Sequence, residues 1–178
     1  AVRIDGVCFR RPDGNPEPVV RQGEWLEVFV RARAMAGAAG TGTPTADGAP
    51  TELNALPTIA AAACNLGLAV YDRHDRLLFA RGWVNAGLPP VDLSAGGWVV
   101  GRFAVKLDLE PGEYVVGLSA AQAVPDPAAP HGWDQHVGGD RYHELPRAAK
   151  VAVIPAPSRA RVSFGPANLR SRADGVVG

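Results

Sequence analysis

The side chains with the greatest capacity for chemistry gather in one stretch, His131-Gly132-Trp133-Asp134-Gln135-His136, followed by Asp140, Tyr142 and His143. Three imidazoles and two carboxylates could in principle hold zinc or copper. Their spacing matches no standard ligand pattern, and a glycine-rich loop makes a poor rigid cage, so no metal and no cofactor is expected. The glycines lack the Lys-Ser/Thr that completes a phosphate loop, and no Gly-x-Ser-x-Gly elbow occurs. The carboxylates stand singly among turns, so a glycosidase pair cannot be argued. The expectation is a chain without catalysis.

The tryptophans offer a different chemistry. A pyranose ring has an apolar face of C–H groups and an edge of hydroxyls, so it wants a flat aromatic with Arg, Asp, Asn or Gln beside it. Trp98 with Arg102 two pleats away, and Trp83 with Arg81 and Asn85, supply such sets. The Trp133 loop, with Asp134 and His136, supplies a third. The same rings could instead cap the core edge or make protein contacts. The alternative to a sugar-binding module is therefore a structural or adhesive domain that binds protein.

The elements that would position these residues read as strands. Val2 to Arg10 alternates apolar and polar with one slip at Gly6, the pattern of a bulged strand. Pro12-Asp13-Gly14-Asn15 and Arg21-Gln22-Gly23-Glu24 are turns. From Trp25 to Arg33, Leu26, Val28, Val30 and Ala32 share one face, and Trp25, Glu27, Phe29, Arg31 and Arg33 share the other. Residues about 35–56 are Ala, Gly, Thr and Pro without periodicity and read as a floppy insertion. Cys64 to Tyr71 and Arg76 to Trp83 form a hairpin across Asp72-Arg73-His74-Asp75. Trp98 to Leu107, Val115 to Ala121 and Ala148 to Ile154 are further strands, and Asp126 to Glu144 is a long polar loop. Tyr114, just after Pro111-Gly112, resembles the tyrosine corner of Greek-key sandwiches. Many short strands with hardly any helical period predict an all-β chain, an immunoglobulin-like antiparallel β-sandwich.

Composition narrows the partners. The 178 residues balance 18 acidic against 18 basic side chains, which argues against nucleic acid or an anionic membrane as the main partner. No apolar run approaches the length of a spanning helix. Cys8 and Cys64 could close a long loop, but without a secretory signal two thiols are more often small buried hydrophobes.

The order of elements also resembles a known family. The Pro12-Asp13-Gly14 turn, Leu68-Ala69-Val70-Tyr71-Asp72, Phe103 through Leu109 and Pro111-Gly112-Glu113-Tyr114 follow one another in its manner. Ala149-Lys150-Val151-Ala152-Val153 and the closing Phe164-Gly165-Pro166-Ala167-Asn168-Leu169 complete the series. Nearly the whole chain is similar to the C-terminal carbohydrate-binding domain of Wzt-type ATP-binding subunits of bacterial O-antigen polysaccharide ABC exporters. The resemblance implies one domain over residues 1–178 that recognises O-polysaccharide before export. It implies a homodimer that exchanges a C-terminal strand at about residues 159–170. It further implies a cytoplasmic location at the inner membrane, reached through a permease and a preceding ATP-binding domain absent from this chain. The insertion at 35–56 departs from the family pattern.

Overall fold

The computed structural model describes residues 2–11, 13–35, 62–93, 96–134, 139–157 and 171–177. Among the described residues, ten strands form two sheets: β1 (Val2–Arg10), β2 (Val19–Arg21), β3 (Trp25–Ala34), β4 (Ala62–Tyr71), β5 (Leu77–Gly82), β6 (Val91–Leu93), β7 (Trp98–Lys106), β8 (Gly112–Gln122), β9 (Arg141–Ile154) and β10 (Ser171–Val177). A four-stranded sheet runs β1-β3-β7-β10. A six-stranded sheet runs β2-β9-β8-β4-β5, with β6 also paired to β4. All pairings are antiparallel except β2 with β9. The chain is a β-sandwich, as its alternation predicted.

The alternation also fixes which side chains meet between the sheets. Leu26, Val28, Val30, Val99, Phe103 and Val105 face inward from one sheet, and Leu66, Leu68, Val70, Val116, Leu118, Val151 and Val153 from the other. The β1 register slips between Ile4 and Gly6, where the sequence placed the bulge. The two turns at Gly14 and Gly23 use positive φ, 83° and 80°, which only glycine takes without strain.

Two polar devices hold the loops. Asp72, at the end of β4, is the buried charged residue among those described. Its carboxylate accepts from the backbone N–H of His74 and Arg76 and from Arg76 Nε, at 2.8, 3.0 and 2.6 Å. These bonds, led by the Arg76 backbone N–H, hold its carboxyl down at about 2. At the same end of the sheet, Tyr114 Oη donates to the Glu110 carbonyl at 2.7 Å, the tyrosine corner read from the sequence. Burial raises the Tyr114 phenol above its ordinary pKa. Replacing Tyr114 with Phe strands that carbonyl and should cost about 1–2 kcal/mol in urea unfolding. A change below about 0.3 kcal/mol would mean the bond contributes nothing.

Several expectations need correction. The polar loop ends early, because β9 begins at Arg141 rather than Ala148. Its first residues carry polar groups outward to a solvated face, which hides their strand character from hydropathy. Strands β2, β6 and β10 carry no clear alternation signal of their own, being short or at an edge. Met35 is exposed, and residues 36–56 of the expected insertion lie outside the described residues, as does the expected exchanged strand at 159–170. Cys8 is exposed and Cys64 buried, and both thiols are free. Burial pushes the Cys64 thiol up to about 12, so it behaves as a small hydrophobe.

Candidate functional site

The outer face of the six-stranded sheet carries a groove of about 520 Å³. Its floor is built from small residues in register. One row runs Ser119, Gly67 and Gly82 across β8, β4 and β5, with Glu144 of β9 at its end, and the next runs Gly117, Ala69 and Ala80. Cross-strand partners share a face, so these rows lower the surface along the middle of the sheet. A Cβ at Gly67 would stand 2.5 Å from Ser119 Oγ, and one at Gly82 would stand 2.5 Å from Asn85 Oδ1. The Tyr71 ring edge comes within 3.0 Å of where a Gly117 Cβ would lie. The glycines thus let polar and aromatic side chains lie down against the backbone.

The rim is polar at one end and apolar at the other. Asn65, Asn85, Asp134, Arg141 and Glu144 supply donors and acceptors, while Tyr71 and Leu77 supply hydrophobic surface. Arg141 and Glu144 form an ion pair. The asparagines also shape the rim: Asn65 Oδ1 accepts from the Val84 N–H and Asn85 Oδ1 from the Gly82 N–H, each at 3.1 Å. They pin the 3-10 turn Val84–Ala86 over the groove's edge. Arg81 leaves β5 opposite the inward-facing Leu68, and its Nη2 reaches the Asn85 carbonyl at 3.5 Å. Its Nε is buried with no hydrogen-bond partner among the described residues. Asp134 is set at the groove by its backbone, which donates to the Val124 carbonyl at 2.8 Å.

Three residues expected to touch sugar, Arg81, Asn85 and Asp134, therefore converge on this groove. Others do not. Trp83 is 5% exposed and packs edge-to-face on Phe103 with ring centroids 6.2 Å apart. Its ring fills the hollow left by Gly101 and Gly175, which are cross-strand partners on β7 and β10. Trp83 is a core residue and cannot offer a face to a ligand. Trp133 is half-buried and bridges to Pro125. His136 lies outside the described residues.

Trp98 and Arg102 do share the outer face of β7, but on the opposite sheet from the groove. The Arg102 guanidinium is engaged by Asp174 at 2.9 Å and Glu27 at 3.8 Å. The histidines of the polar stretch also separate. His143 Nδ1 faces the Ile4 N–H at 3.4 Å, while His131 stands beside Gly87. Among the described residues, no three His, Cys, Asp or Glu side chains are placed to hold a metal ion.

Sequence reasoning missed Asn65, Tyr71, Ser119, Arg141 and Glu144. Each stands at an outward position of its strand, and the small residues beside them give no signal until the strands are paired.

No protein-family profile matches the chain, and no curated protein matches it. Among solved structures it is similar to the crystal structure of the C-terminal domain of Wzt, with a TM-score of 0.57 and 11% identity. The match covers 92% of this chain and 77% of that one. No helix among the described residues is long and apolar enough to cross a membrane. The chain has the β-sandwich fold of a Wzt-type C-terminal domain.

Proposed function

We propose that this chain is a non-catalytic module that binds a bacterial O-polysaccharide in the groove of its six-stranded sheet. The observation that carries the reading is the groove itself: a small-residue floor between a polar rim and the Tyr71–Leu77 surface. A glycan presents both kinds of surface, C–H faces for Tyr71 and hydroxyls for Asn85, Asp134, Ser119 and the Arg141–Glu144 pair. The volume falls in the range of small-molecule sites. The likeness to the C-terminal domain of Wzt supports the same assignment. In that setting the module selects polysaccharide for an ABC exporter, on the cytoplasmic side of the inner membrane. It is coupled to the permease through an ATP-binding domain and works as a homodimer.

Calorimetry with the O-polysaccharide of the source bacterium tests this. Binding is expected, and Tyr71→Ala should weaken it about 5- to 30-fold, the worth of one aromatic contact. Absence of binding to that polymer, or unchanged affinity in a folded Tyr71→Ala variant, rejects the groove.

A further inference from the structure

The outer face of the four-stranded sheet holds a second concentration of charge that the groove does not use. Arg3, Arg33 and Trp98 stand at one height across β1, β3 and β7, Arg3 opposite Arg33 and Arg33 opposite Trp98. Arg31 follows on β3, lying over Gly6, where a Cβ would meet its Cβ at 3.4 Å and its Nε at 3.5 Å. Among the described residues Asp5 is the carboxylate that faces them, 2.7 Å from Arg31 Nε and 3.6 Å from Arg33 Nε. Arg3 makes no ion pair among the described residues. Three guanidinium groups therefore share one acid.

Like charges directly opposite on a sheet face are destabilising. A chain that keeps the Arg3–Arg33 pair departs from its own local rules, and such departures concentrate where something must be bound. Beside the pair, Trp98 is 37% exposed. With Arg31, Arg33 and Val100 it walls a hollow of about 210 Å³.

We infer that this hollow binds an acidic sugar residue, of which a uronate is the simplest, with its ring on Trp98 and its carboxylate on Arg33 and Arg3. Neighbouring strands lie about 4.8 Å apart, so Arg33 is one strand from the ring and Arg3 two. That places the cations where an acid group projecting from a stacked ring would arrive. The planar guanidinium fork matches a carboxylate in bidentate geometry, which a lysine would not. Val100 closes the hollow with apolar surface, as the C–H face of a ring requires. This site lies on the opposite sheet from the groove and does not depend on it.

Tetragalacturonate and its fully methyl-esterified form, titrated calorimetrically into the intact chain, separate charge recognition from stacking. The acid should bind, and the ester should bind at least about 10-fold more weakly, since charged hydrogen bonds are lost. Arg33→Ala should cost about 10-fold or more, with Arg33→Lys and Arg3→Ala intermediate as a safeguard against misfolding. Trp98→Ala should cost about 5- to 30-fold. The affinity should fall as salt rises to about 0.5 M, and Tyr71→Ala in the groove should leave it unchanged. Equal affinity for acid and ester, or an unaltered affinity in a folded Arg33→Ala variant, overturns the inference. So does competition by inorganic phosphate that is indifferent to Trp98, which would reduce the site to a plain anion contact. Binding to phosphatidylglycerol vesicles through Arg33, without any response to galacturonate, would make the face a membrane contact and overturn it equally.

Discussion

Replacing Trp83 with alanine should lower the unfolding free energy by about 3–5 kcal/mol, the cost of deleting a large buried aromatic. The ring is buried between the sheets against Phe103, and Gly101 with Gly175 forms the hollow that receives it. No neighbour is positioned to collapse into the space, because two of its walls are backbone. The loss should appear as a lower urea midpoint with an unchanged slope, since the fold and the surface exposed on unfolding stay the same. Trp98→Ala is the internal contrast. That residue stands on the outer face of β7, so its removal should cost about 1 kcal/mol, the scale of strand propensity. A cost below about 1 kcal/mol for Trp83→Ala would show that the indole does not pack as described. The experiment sorts two tryptophans that look alike in the chain: one is packed between the sheets, and the other stands exposed on the outer face of β7.

That sorting explains what could be read from the residues alone. The strands β1, β3 and β7, the Asp72 turn, the Gly6 bulge and the Tyr114 corner rest on local signals: alternation, turn residues and a Tyr after Pro-Gly. They need no partner to be recognised. Trp83 needed one, because its burial follows from Gly101 and from Gly175 far along the chain in β10. Without that pairing, Arg81 and Asn85 beside it made an exposed platform look equally good. Arg81 and Asn85 do line the groove, whereas the Trp83 ring is packed between the sheets. The ring at the groove is Tyr71, which the alternation of β4 places outward between small residues. A groove made by the absence of side chains at Gly67, Gly82, Gly117, Ala69 and Ala80 leaves no mark on hydropathy. It emerges only when register aligns those absences across three strands.

The floor can therefore be tested by filling it. Gly67→Val should abolish measurable O-polysaccharide binding, a fall of more than about 100-fold, because it builds a wall against the ligand rather than removing one contact. The change should leave the fold intact. Gly67 lies outside the left-handed region, so a β-branched residue is not strained there. The new Cβ would meet Ser119 Oγ at 2.5 Å, but a serine hydroxyl can rotate to another staggered position. Glycine inside a strand is itself a weak point, so stability should move by no more than about 1 kcal/mol. Gly67→Ala should fall between, since one methyl fills less of the floor than an isopropyl group. Calorimetry and urea unfolding on the same three proteins decide the matter. Full affinity in a folded Gly67→Val variant would move the polysaccharide off the six-stranded sheet, and the Trp98 hollow on the opposite face would then have to carry recognition by itself.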